Sequence, residues 1–102
     1  MAAHLLILYP QPTDAAAFDR AYKQEHLPYA GPRLAGATGV ASRNIVGPQS
    51  PPAFHFVSAV SFPDLETLQS CAGSDGGREA LAHAASISSG GMPLVLVAVD
   101  SD

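Results

Sequence analysis

His26 is the side chain of this sequence best placed to do chemistry, because Phe18, Tyr22 and His26 recur at four-residue spacing. Four residues advance a helix about 40° beyond one full turn, so the three rings share one stripe. Such a stripe faces the protein interior. Leu27-Pro28 behind it predicts the end of the helix. The residue before a proline is pushed out of the α region, and proline donates nothing to the preceding turn. His26 is therefore expected at a helix end, turned inward. An imidazole with an ordinary pKa of about 6.5 takes and returns a proton at neutral pH. Lactone isomerisation, aldol-type cyclisation and dehydration all need that step, and Tyr9 and Tyr22 can orient a carbonyl or phenol beside it. The plainer role is a helix C-cap, with His26 on the last carbonyls and Tyr22 in the core.

Two further residues can contact a ligand. The segment Ala53 to Phe62 reads as a strand with Phe54, Phe56, Ser58, Val60 and Phe62 on one face and Ala53, His55, Val57, Ala59 and Ser61 on the other. Bulk lies on one side, and His55 on the lightly filled side can shape a cavity or serve as a half-buried strand histidine. Arg43 can hold a carboxylate or act as a surface charge. His4, His26, His55 and His83 lack ligand spacing and the single Cys71 forms no cluster, so no metal site is expected. Cys71 would be a nucleophile only beside a histidine, and otherwise fills space as a small hydrophobe. Gly73-Ser74-Asp75-Gly76-Gly77 and Gly90-Gly91 lack the lysine and hydroxyl of a P-loop and read as turns. No nicotinamide or flavin motif is present, so no cofactor is expected.

The elements that must position these residues alternate along the chain. His4 to Tyr9 is apolar on both faces and reads as a buried strand, followed by the turn Pro10-Gln11-Pro12. Thr13 or Asp14 can cap a helix opening at Ala15-Ala16-Ala17 and running to His26. Thr38 to Val46 and Ala53 to Phe62 are the next strands, separated by the proline-rich loop Gly47 to Pro52. A second helical region opens at Pro63-Asp64, breaks at Gly73 to Gly77 and resumes from Arg78 to about Ser86; Pro93 to Val99 is the last strand. Two strand–helix–strand halves with right-handed crossovers give an α+β, ferredoxin-like βαββαβ fold: a four-stranded antiparallel sheet with helices on one face. Its other face is left apolar, and a face-to-face homodimer is the simplest cover.

Composition narrows the rest. A chain of 102 residues, 47% hydrophobic, makes one domain (residues 1–102) whose modest core gains from self-association. Five scattered cations against nine acids leave a net charge of −4, which excludes a basic surface for nucleic acid or anionic lipid. The run Leu5-Leu6-Ile7-Leu8 is too short for a signal-peptide core or membrane span, and one cysteine gives no intrachain disulfide. A cytoplasmic protein is expected.

Leu8-Tyr9-Pro10, Thr13-Asp14, Phe18-Asp19, Tyr22 and His26-Leu27-Pro28, with Pro51-Pro52-Ala53-Phe54 and Ser61-Phe62-Pro63-Asp64-Leu65-Glu66, resemble the EthD family of ethyl tert-butyl ether degradation clusters over almost the whole chain. The resemblance implies a dimeric α+β barrel in which two sheets pack face to face and a pocket opens between each sheet and its own helices. It also implies a small cyclic or aromatic metabolite as ligand, with His26 as the transferred functional position. The wider superfamily holds isomerases, cyclases and cofactor-independent monooxygenases, so shape does not select a reaction. Two positions depart from the pattern. Ala59 stands where relatives often carry a polar group, and His83 where they often carry an acid. The alternative to a cofactor-free isomerase, cyclase or dehydratase is a non-catalytic binding or accessory protein.

Overall fold

The computed structural model describes residues 1–101. Four strands, β1 (Ala3–Pro10), β2 (Gly39–Asn44), β3 (Phe54–Phe62) and β4 (Leu94–Val99), form one antiparallel sheet in the order β2-β3-β1-β4. This is the ferredoxin-like arrangement, in which each half inserts a strand of the other between or beside its own. β1 is central, and its odd residues Ala3, Leu5, Ile7 and Tyr9 are buried beneath the helices while His4, Leu6 and Leu8 occupy the outer face. The register Leu6↔Ala59 and Leu6↔Leu96 carries that alternation across three strands.

The helical layer consists of α1 (Ala15–Ala21), a π-helical turn (Tyr22–His26), α2 (Leu27–Ala30), a 3-10 turn (Gly31–Arg33), α3 (Leu65–Ala72) and α4 (Asp75–Ile87). Each long start is capped by a side chain that satisfies an otherwise free N–H. Asp14 accepts from Ala17, Asp64 from Thr67, and Ser74 from Gly77. Between helices and sheet, the core gathers Tyr9, Tyr22, Phe62 and Leu68, all fully buried.

Two expectations are corrected. Leu27-Pro28 does not end the first helix; the chain stays helical to Arg33. The reason is the π turn, in which the Leu27 N–H reaches back five residues to the Tyr22 carbonyl. The widened turn spares the following proline the clash and missing bond it would meet in a regular α-helix. His26 is therefore internal to a continuous helical segment, at the junction of π and α geometry. Likewise α4 begins at Asp75 and not at Arg78, so Gly76 and Gly77 are first-turn helical residues and only Gly73 and the N-cap Ser74 of that break remain outside a helix. A Cβ on Gly77 would overlap the Cys71 carbonyl, so glycine there permits the close approach of α4 to α3.

The outer face of the sheet carries Leu6, Leu8, Val57, Ala59, Leu94 and Leu96, with Leu94 and Leu96 more than two-fifths exposed. At one end, His4 Nδ1 lies 3.0 Å from Ser61 Oγ and His4 Nε2 lies 2.8 Å from Asp100 Oδ1, a chain that ties three strands together. At the other end stands the exposed Arg43, opposite Val57.

Candidate functional site

His26 is buried and lines a cavity bounded by β1 (Leu5, Ile7), the α2 region (Leu27, Ala30, Gly31, Leu34), α4 (Ala80, Leu81), β2 (Val40) and β3 (Ser58, Val60). Only His26 and Ser58 bring polar side chains to it. The free volume is about 30 Å³, room for a water or two. Leu27 and Val40 are exposed while lining it, so they border its open side.

The chemistry of His26 depends on a second imidazole. His26 Nδ1 lies 2.9 Å from His83 Nδ1, with the two rings within 8° of parallel. His26 Nε2 has no hydrogen-bond partner among the described residues, so it is the ring nitrogen left for a cavity occupant. Burial, and then the proximity of His83, lowers the His26 pKa to about 4. The group is neutral at neutral pH. His83 is itself half-buried, stacked at 4.5 Å on Tyr29, whose far face carries the Arg33 guanidinium at 3.7 Å.

Opposite His26, a line of hydroxyls approaches the cavity. Tyr22 donates to Ser58 at 3.0 Å and lies 2.7 Å from Ser42 Oγ, from which it accepts. Ser42 and Ser58 are register partners on neighbouring strands, so the sheet fixes the spacing of the tyrosine's two partners. The stripe of Phe18, Tyr22 and His26 is wholly buried.

The remaining expected site residues lie apart from the cavity. Tyr9 sits in the aromatic core, 4.9 Å from the Phe18 ring and 6.1 Å from the Tyr22 ring. Its buried hydroxyl has no hydrogen-bond partner among the described residues, a loss worth about 1–3 kcal/mol, and burial pushes its pKa far above the usual phenol value. His55 falls at a β-bulge, where Tyr9 pairs with Phe56 and Pro10 with Phe54. The bulge re-aims His55 from the outer face to α1, where its Nε2 lies 3.2 Å from Asp19 and its ring packs edge-on against Phe18. Arg43 is on the outer face and does not approach His26. Burial also pushes the Cys71 thiol up, which suits a core residue.

Ser58 had not been singled out from the sequence, and His83 had been noted only as a departure from the family pattern, without a role. The available signals were a hydroxyl amid the bulky face of β3 and a histidine three residues after the cavity-lining Ala80 on α4.

No protein-family model matches the sequence, and no curated protein does. Among solved structures, an ethyl tert-butyl ether degradation (EthD) family protein from Bacillus halodurans C-125 matches with a TM-score of 0.86 at 25% identity, covering 99% of this chain and 100% of its own. Over almost its whole length the chain is similar in fold to that EthD family protein. An EthD-like protein from Ralstonia eutropha JMP134 matches with a TM-score of 0.74 at 21% identity, over 95% of this chain and 89% of that one. A dimeric ferredoxin-like protein of unknown function from Jannaschia sp. CCS1 matches at 0.66 with 20% identity, over 97% and 98%. Among the described residues no helix is long and apolar enough to cross a membrane.

Proposed function

We propose that this EthD-like protein is a homodimer that binds a small, mainly apolar cyclic or aromatic metabolite between sheet and helices, with His26 as its hydrogen-bonding and proton-transferring group. The observation that carries the reading is an imidazole whose Nδ1 is committed to His83 and whose Nε2 is free, lining an otherwise apolar cavity. Pockets for small ligands are built this way, apolar walls with a few placed polar groups. Cofactor-free isomerisation, cyclisation or dehydration is the chemistry such a group performs. Tyr22 then acts through Ser58, while Tyr9, His55 and Arg43 lie too far from the cavity to contact the ligand first. Simple sequestration of the same ligand is the second reading, and it is favoured by the low basicity of His26 and by apolar Ala59.

Calorimetric titration with phenol and toluene tests the cavity. Both are expected to bind saturably. Phenol is expected to lose up to about tenfold in affinity in His26→Leu while toluene is unaffected, the worth of one hydrogen bond. No saturable binding of either probe would refute the site.

Dimerisation through the outer sheet faces is supported by the exposed Leu94 and Leu96 and by the dimeric state of similarly folded proteins. Sedimentation equilibrium is expected to give twice the 10.5 kDa chain mass, and Leu96→Glu to return the single-chain mass. A wild-type monomer at high concentration would contradict it. A cytoplasmic setting accords with one free, buried cysteine.

A further inference from the structure

The pair of imidazoles has a property that neither ring has alone. Two Nδ1 atoms 2.9 Å apart cannot both present lone pairs, nor can both carry hydrogens without a clash, so the pair holds one hydrogen between them. In the neutral pair this leaves two arrangements. If His26 Nδ1–H donates to His83, His26 Nε2 is a bare acceptor towards the cavity and His83 carries its hydrogen on Nε2. If His83 Nδ1–H donates to His26, then His26 Nε2 bears a hydrogen and His83 Nε2 is bare. The two differ in what the cavity meets, a base or an acid.

We propose that His83 is the outer half of a two-imidazole proton path, and that the position of the shared hydrogen decides whether His26 Nε2 accepts a proton from a cavity ligand or donates one. The proposal deepens the ligand-site reading and rests on it for its purpose, though not for its test.

The proton balance closes without any other reactant. In the inward direction, a proton binds bare His83 Nε2, the shared hydrogen crosses from His83 Nδ1 to His26 Nδ1, and the His26 Nε2 hydrogen passes to the ligand. One proton enters and one leaves. The outward direction reverses each step, so a ligand proton taken at His26 Nε2 releases the one on His83 Nε2. A reaction that abstracts a proton and then returns one uses the two directions in succession, which leaves the pair as it began.

Burial fits these roles. His26 is 5% exposed and lines the cavity, whereas His83 is half-buried on α4. The groups that face His83 are His26 on the π turn and Tyr29 on α2; Arg33 lies beyond the Tyr29 ring and is itself 3.6 Å from Glu79 on α4. Lys23 and Glu25 on the π turn are exposed and bond to neither ring. Among the described residues no carboxylate hydrogen-bonds to either imidazole, so none of them pins the shared hydrogen on one side. The parallel stacking on Tyr29 holds the His83 ring in the plane that keeps the two Nδ1 atoms in line.

Long-range proton–nitrogen NMR on the ligand-free protein tests this, because it reads each ring nitrogen as bare or hydrogen-bearing. With acidification, His26 Nε2 is expected to shift from a mixed position towards the hydrogen-bearing extreme, in step with hydrogen uptake at His83 Nε2. His83→Phe keeps the stack on Tyr29 but removes the acceptor, and His26 Nε2 should then lose that step. His83→Gln gives a second variant with an acceptor near the Nδ1 position, and should hold His26 towards the Nε2-bare form. Backbone spectra of both variants confirm folding. His26 nitrogen shifts that follow the same pH course in wild type and both variants would overturn the relay. Because no ligand is present, that result would leave phenol binding unaffected, and failure of phenol binding would leave the relay standing.

Discussion

Acidification from pH 7 to pH 4 is expected to remove about 3 kcal/mol of stability through His26 alone. The unfolded imidazole has a pKa of about 6.5, while burial and the neighbouring His83 lower the folded value to about 4. Between these values the unfolded chain binds more protons than the folded one. Stability therefore rises with pH across that window, and it is lost as pH falls from 6.5 towards 4. The full difference corresponds to about 3 kcal/mol. The comparison is wild type against His26→Leu, with urea unfolding measured at equal protein concentration because a dimer's apparent stability depends on it. The wild type should lose stability through the window and the variant should lose markedly less. Parallel pH profiles would show that His26 is not held neutral in the folded protein.

Gly77→Ala is expected to cost about 3 kcal/mol, a fall in melting temperature on the order of 10–20 °C. The glycine is buried in the first turn of α4, and a Cβ there would overlap the Cys71 carbonyl and approach Ala72. Both obstacles are backbone, so relief requires α4 to move as a body. That same helix carries Ala80, Leu81 and His83 to the cavity and to His26, which couples packing at one end to the imidazole pair. Gly73→Ala is the control. Its Cβ would meet the Gln69 carbonyl at 3.4 Å, an ordinary contact, and its backbone is in the right-handed helical region. Thermal unfolding of the two variants should separate them by most of the stated shift, and equal melting temperatures would contradict the close-packing explanation.

These two effects mark where sequence patterns are informative and where they stop. Alternation in β1 and β3, capping at Asp14 and Asp64, and proline-rich breaks made the order of elements and the ferredoxin-like sheet legible. Local rules failed where tertiary geometry overrode them. Leu27-Pro28 normally ends a helix, yet the π turn ahead of it lets the helix continue. Glycine normally disfavours a helix, yet Gly76 and Gly77 begin one because Ser74 caps it and α3 crowds it.

The candidate site divides along the same line. His26 was legible because its stripe with Phe18 and Tyr22 is a local helical repeat. Its pairing with His83 depends on a contact across 57 residues, which no spacing in the sequence encodes. The placement of His55 likewise depends on a one-residue bulge against β1, which turned it from the outer face to Asp19. Ser58 passed for a small residue on a bulky face until its register partner Ser42 and the Tyr22 hydroxyl gave it a role.

The account rests most directly on His26 Nε2 being the polar contact of a ligand in the cavity. A crystal structure with phenol bound tests that. The account predicts the phenol ring among Leu5, Ile7, Leu34 and Val60, Leu27 and Val40 displaced outward, and the phenol oxygen within hydrogen-bonding distance of His26 Nε2. Phenol bound elsewhere with the cavity still closed, or lying in it with its oxygen turned away from His26, would contradict the account.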